Sequence, residues 1–80
     1  MKQVHIPKMG MSTMEVDIVA IHVGPGSRVR VGDPLIDIEG DKASFTIEAE
    51  LAGVVLEVLV EEGAVGNVGD IVMHIEPAAD

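Results

Sequence analysis

Hydrophobic and polar residues alternate with a period of two in several short stretches of this chain. Ile36 and Ile38 stand against Asp37 and Glu39, and Met73 and Ile75 against His74 and Glu76. Phe45, Ile47 and Ala49 alternate with Thr46, Glu48 and Glu50. This pattern predicts β-strands with one packed face and one wet face. Over residues 16–23, Ile18, Ile21 and Val23 look inward while Asp17, Ala20 and His22 look outward, which fits a strand only if one extra residue is inserted near Val19. The same slip recurs near Leu56, so a β-bulge is expected at both places, bending each strand around the core.

Between these strands lie Gly24-Pro25-Gly26, Gly32-Asp33-Pro34, Gly40-Asp41, Gly53, Glu62-Gly63 and Gly69-Asp70. Each is expected to be a turn, with glycine supplying positive φ where the backbone needs it. No window of ten or more residues carries a 3.6-residue apolar stripe uninterrupted by Gly or Pro, so almost no helix is expected and the fold class is all-β.

An offset of 37 residues aligns residues 15–39 with 52–76, laying GSRVRVGDPLIDIE over GAVGNVGDIVMHIE, with seven identities in 25 pairs. Two copies are too few for an open array, and neither could bury a core alone, so a closed domain with a pseudo-two-fold axis is expected. The first copy runs on into Gly40-Asp41-Lys42-Ala43 and the second runs out to Pro77-Ala78-Ala79-Asp80. Because the axis would exchange these two places, the Lys42 turn is expected at the end of the domain remote from the C-terminal exit. Residues 1–76 are read as one domain and 77–80 as the start of a linker or tail.

Composition narrows the chemistry. Eighty residues with 48% hydrophobic content and a single aromatic, Phe45, support one modest core of aliphatic side chains. The formal net charge is −9, and only Lys2, Lys8, Lys42, Arg28 and Arg30 are basic, so there is no patch to neutralise phosphates and neither nucleic acid nor an anionic membrane surface is an expected partner. There is no cysteine, hence no disulfide, thiolate metal site or thiol nucleophile. The first ten residues lack the apolar run of a signal peptide, and no segment approaches the ~18 apolar residues of a membrane span. His5, His22 and His74 lie far apart in sequence with no acidic or histidine partner at metal-ligand spacing, so no metal site and no role are assigned to them. Met9, Met11 and Met14 are expected to fill gaps or cover the loop they occupy.

Lys42 carries the chemical interest. A lysine at a hairpin tip keeps its amine in water, where a pKa of about 10.4 leaves it protonated, and nothing in the sequence promises the apolar pocket a lysine base requires. Exposure suits it instead to modification by another enzyme. Taken alone, a lysine in a turn is an ordinary solvated residue; its setting changes that reading.

Glu39-Gly40-Asp41-Lys42-Ala43 has the form E-x-D-K-A, preceded by VGDPLIDI and followed by a strand beginning SFTI; IPKMGMSTMEVDI opens the chain and AGVVLEVLVEEG its second half. In these features, over nearly its whole length, the chain resembles the lipoyl domains of 2-oxo-acid dehydrogenase complexes, from the dihydrolipoamide acyltransferase component. The resemblance implies a flattened barrel or sandwich of two four-stranded antiparallel sheets, non-catalytic, with lipoic acid amide-linked to Lys42. It implies recognition by the lipoate ligase or lipoyl transferase through Glu39, Asp41, Ala43 and Gly53, and recognition by partner enzymes through the loop of Pro7, Lys8, Met9 and Gly10. The implied role is a swinging arm carrying acyl groups and electrons among a thiamine-diphosphate decarboxylase, an acyltransferase catalytic domain and dihydrolipoamide dehydrogenase, in bacterial cytoplasm, or in the mitochondrial matrix if the source is eukaryotic. Gly40 departs from the threonine common in the family. Biotinyl carriers share the fold type, but methionines normally flank their lysine where Asp41 and Ala43 stand here; glycine-cleavage carriers are longer, and purely structural hammerhead domains lack the modified lysine.

Overall fold

Residues 1–8, 14–41 and 43–78 are described by the computed structural model. They form eight strands, β1 (Lys2–His5), β2 (Glu15–Ile21), β3 (Arg28–Val29), β4 (Pro34–Glu39), β5 (Ser44–Glu48), β6 (Gly53–Val58), β7 (Val65–Asn67) and β8 (Ile71–Pro77), and no helix among the described residues. The strands make two four-stranded sheets in the orders β1-β8-β6-β3 and β5-β4-β2-β7, with every pairing antiparallel.

The two sheets trap one aliphatic core, and the repeat supplies it in matched pairs. Ile18 and Val55, Leu35 and Val72, Ile36 and Met73, and Ile38 and Ile75 stand 37 residues apart, and all eight side chains are buried. Each such burial contributes roughly 1.5–3 kcal/mol. The expected bulges are present: the β2–β4 register slips between Ile18 and Ala20, and the β6–β8 register between Val55 and Glu57. The bulged residues Val19 and Leu56 are exposed. A further slip between Pro34 and Ile36 turns Leu35 and Ile36 inward together, a step that strict alternation does not anticipate.

The residues shared by both copies explain themselves as turn chemistry. Gly32 and Gly69 have φ of 91° and 95°, in the third position of the four-residue turns 30–33 and 67–70, where a type II turn demands a positive φ. Asp33 and Asp70 close those turns with their carboxylates, accepting from the backbone N–H of Arg30 at 2.8 Å and of Asn67 at 2.9 Å.

Gly53 is not a turn residue. It begins β6, is buried, and pairs with both Val29 and Pro77. A Cβ there would lie 2.2 Å from the carbonyl oxygen of Glu76, so the glycine is required by the approach of β8. Met14 fills no gap in the core: it is 54% exposed, and its carbonyl accepts the N–H of Val68. Met9 and Met11 lie outside the described residues. At the C-terminus the sheet continues one residue past Glu76 to Pro77, and the N–H of Ala78 bonds the carbonyl of Ala52 at 2.9 Å. Ala79 and Asp80 lie outside the described residues.

Strand direction places the functional end. β4 runs from Pro34 to Glu39 and returns as β5, while β2 starts beside Glu39 and leads away toward β3, which pairs with the start of β6 opposite Pro77. Met1 and Glu76 lie together, with the amino terminus 3.8 Å from Oε2 of Glu76. The β4–β5 hairpin and the two termini therefore occupy opposite ends of the fold.

Candidate functional site

The connection between β4 and β5 spans residues 40–43. Its base is the cross-strand pair Glu39 and Ser44, and the N–H of Gly40 donates to the carbonyl of Ala43 at 2.9 Å, tying the two ends together. Asp41 and Ala43 are both exposed. Lys42 lies outside the described residues.

Glu39, Asp41 and Ala43 are brought together at this hairpin, whereas Gly53 is not. Gly53 is buried near the termini, at the other end of the fold, and its identity has the packing cause given above. The flanks of the loop holding Pro7, Lys8, Met9 and Gly10 do come to the hairpin end. Ile6 donates its N–H to the carbonyl of Asp70 and accepts that of Gly69, and the Met14 carbonyl accepts the N–H of Val68, next to the β7–β2 pairing that begins at Glu15. Pro7 and Lys8 are exposed, while Met9 and Gly10 lie outside the described residues.

The hairpin end is acidic. Asp17 and Glu39 are direct partners across β2 and β4, a like-charge pairing that costs stability in an antiparallel sheet. Depressions of about 230 Å³ flank the hairpin, one lined by Val19, Asp37, Glu39, Ser44 and Thr46, the other by Glu15, Asp17, Glu39 and Asp41.

Two of the three histidines have carboxylate partners that chain spacing does not reveal. Nε2 of His22 stands 3.0 Å from Oδ2 of Asp37, and Nδ1 of His74 stands 2.9 Å from Oε1 of Glu57. His5 Nδ1 meets the carbonyl of Gly69 at 3.1 Å. Among the described residues no three His, Cys, Asp or Glu side chains cluster as metal ligands. Register is the missing signal: strand pairing sets Glu57 opposite His74 and Ala20 opposite Asp37, so that His22, two residues past Ala20, reaches Asp37 diagonally, and each histidine finds its partner only once the bulges are placed.

The Thr46 hydroxyl, donating to Oδ1 of Asp37 at 2.8 Å, and then His22 hold the Asp37 carboxyl below the ordinary carboxylate range, against a smaller opposing effect of desolvation. A carboxyl lowered in the folded state stabilises the fold above its unfolded pKa of about 3.9, and that contribution is lost as pH falls through the folded value. The thermal midpoint of Thr46→Val is therefore expected to fall below wild type at pH 7, and the gap to narrow at pH 3. Equal gaps at the two pH values would remove Asp37 from the acid transition.

Against known families, residues 2–75 match the biotin/lipoyl family model, described as biotin-requiring enzyme. The chain is 38% identical, over 99% of its length, to the dihydrolipoyllysine-residue acetyltransferase component of the pyruvate dehydrogenase complex of Haemophilus influenzae, and 35% identical, over 89% of its length, to that of Staphylococcus aureus. It spans 14% and 16% of the length of those two relatives. Among solved structures, the lipoyl domain of the 2-oxoglutarate dehydrogenase complex from Azotobacter vinelandii superposes with a TM-score of 0.80 at 25% identity, covering 96% of this chain and 98% of that one. A single-chain, multi-domain long-chain acyl-CoA carboxylase shares the fold, with a TM-score of 0.77 at 19% identity over 98% of this chain and 7% of its own.

Proposed function

The chain belongs to the biotin/lipoyl family, and we propose that it is a lipoyl carrier domain of a dihydrolipoamide acyltransferase, with Lys42 as the attachment residue. The observation that carries this reading is the setting of position 42. It lies between two exposed residues, in the connection of a hairpin that projects from the end of the fold opposite the termini.

Lipoic acid supplies a dithiolane, whose reduction and acylation are the chemistry such a carrier makes available to its partners. The contribution of the chain itself is presentation. The hairpin sets the exposed residues Asp41 and Ala43 on either side of the attachment position, and any tether at the termini leaves from the far end. Tethering then converts encounters between separate active sites into intramolecular ones. Amide formation removes one positive charge, taking the formal net charge from −9 to −10 and making the hairpin end more acidic.

Glu39, Asp41 and Ala43 are the residues that a lipoate ligase or lipoyl transferase would meet at this hairpin. Glu39 faces another acid across the sheet instead of a stabilising partner, which favours a role outside the fold. Gly53 would act on recognition only through the packing of β6 on β8. Pro7, Lys8, Met9 and Gly10 would present the second surface to the partner enzymes, which in this reading are a thiamine-diphosphate decarboxylase, the acyltransferase catalytic domain and dihydrolipoamide dehydrogenase. Bacterial relatives favour the cytoplasm as the compartment.

Intact mass and peptide mapping of protein purified from a lipoate-competent host test the assignment. One lipoyl adduct, mapped to Lys42, is the expected result. A biotinyl adduct would transfer the chain to the carboxylase branch of the family, and an unmodified Lys42 would favour a purely structural hammerhead.

A further inference from the structure

The outer face of the β4–β5 hairpin carries a hydrogen-bonded row running across three segments of chain. Thr46 on β5 donates its hydroxyl to Oδ1 of Asp37 on β4 at 2.8 Å, and the other carboxylate oxygen of Asp37 meets Nε2 of His22, the residue following β2, at 3.0 Å. Asp37 and Thr46 are direct cross-strand partners, two pairs below Glu39 and Ser44, the last pair before the connection that contains Lys42. β5 is an edge strand, paired in its sheet with β4 alone. An edge hairpin held by a single ladder opens locally at low cost, and the row adds a side-chain tie reaching past β4 to the end of β2.

The internal repeat provides its own comparison. A shift of 37 residues carries His22 to Leu59 and Asp37 to His74, and the strand in the place of β5 is β1, where Gln3 is the partner of His74. There His74 turns instead to Glu57 of β6, and the second copy builds no counterpart of the row among the described residues. The second copy also presents no hairpin at that place, since Glu76 leads out toward the terminus. The two copies are thus alike in core and turns and differ in this surface row, which lies in the half that presents a lysine.

We propose that Thr46, Asp37 and His22 are positioning residues that fix the pitch of the β4–β5 hairpin for capture by the lipoate-attaching enzyme, an inference that rests on Lys42 being the attachment residue. The enzyme must take the amine in one pose. If the hairpin samples several pitches, only a fraction of the domain is competent to bind, and apparent affinity falls by that fraction while the chemical step on bound lysine is unchanged. Loss of the row therefore appears in KM and leaves kcat alone.

The test uses the complete apo-domain as substrate for a lipoate ligase, with Thr46→Val to delete the donor while keeping a β-branched strand residue, and Thr46→Ser to keep the hydroxyl. Thr46→Val is expected to raise KM for the domain about five-fold, the factor corresponding to one ordinary hydrogen bond, with kcat unchanged. It is also expected to speed hydrogen exchange at the Gly40 amide, which closes the connection, by a similar factor. Thr46→Ser restores both. A lowered thermal midpoint with KM and Gly40 exchange at wild-type values would reduce the row to a stability contact and overturn the proposal, as would a serine variant behaving like valine. If the wild-type domain takes no lipoate at Lys42, the attachment reading fails first, and Gly40 exchange alone then shows whether the row holds the hairpin.

Discussion

Lys42→Arg is expected to abolish lipoylation and all carrier activity while changing the stability of the fold by less than about 0.5 kcal/mol. Arginine keeps the positive charge in the connection between Asp41 and Ala43, so solvation and local electrostatics barely change. What it lacks is an amine that can be deprotonated and acylated, because the guanidinium stays charged at any pH the ligase uses. The chain contains two other lysines, and they make the experiment discriminating. Lys2 lies on β1 beside the termini, and Lys8 is exposed at the hairpin end of the fold, next to the segment tied to Gly69 and Asp70. An adduct persisting in the arginine variant would point to Lys8, and the E-x-D-K-A segment would then be a recognition element without being the acceptor. An intact mass equal to that of the bare polypeptide, together with an unchanged urea midpoint, is the outcome that agrees with Lys42.

Much of this arrangement can be read in the chain, because alternation and turn chemistry are local. Ile36, Ile38, Met73 and Ile75 announce strands, and the broken alternation at Val19 and Leu56 announces bulges, since a strand can place both flanking sets inward only by looping one residue out. Gly32-Asp33 and Gly69-Asp70 announce turns because positive φ and a short capping carboxylate both act within four residues. The short strands are different. β3 is two residues long and β7 three, and β1 offers Val4 as its one aliphatic position, so alternation alone does not mark them and the full count of eight rests on the family resemblance. The outer-face contacts were also invisible. His22 and Asp37 are fifteen positions apart and His74 and Glu57 seventeen; the bulged register sets Glu57 opposite His74, and Ala20 opposite Asp37 with His22 two residues beyond. Gly53 departs from the turn expectation for a related reason. Taken by itself a glycine signals a turn, whereas here it answers a close approach from Glu76, twenty-three positions away.

Gly53→Ala is accordingly expected to be the most damaging single-methyl change in the domain. The added Cβ would fall 2.2 Å from the carbonyl oxygen of Glu76, 2.9 Å from Cγ2 of Ile75 and 3.0 Å from the carbonyl carbon of Glu76. Two of these three obstacles are backbone, so no rotamer change relieves them, and β8 must move off β6 in the register that buries Val55 and Ile75. Overpacking of this kind costs about 1–3 kcal/mol or more, against a total of roughly 4–12 kcal/mol for a domain of this size. Gly66→Ala is the internal control. It occupies the corresponding Val–Gly pairing at the other end of the fold, Val16 with Gly66 where Val29 pairs with Gly53. Its added Cβ meets Cδ1 of Ile6 at 2.7 Å, the far end of a flexible side chain that can swing aside. Urea midpoints should therefore rank wild type first, Gly66→Ala next and Gly53→Ala last, with the second gap the larger. If Gly53→Ala instead kept full stability and lost lipoylation, the glycine would matter to the ligase directly, and the packing explanation for it would be wrong.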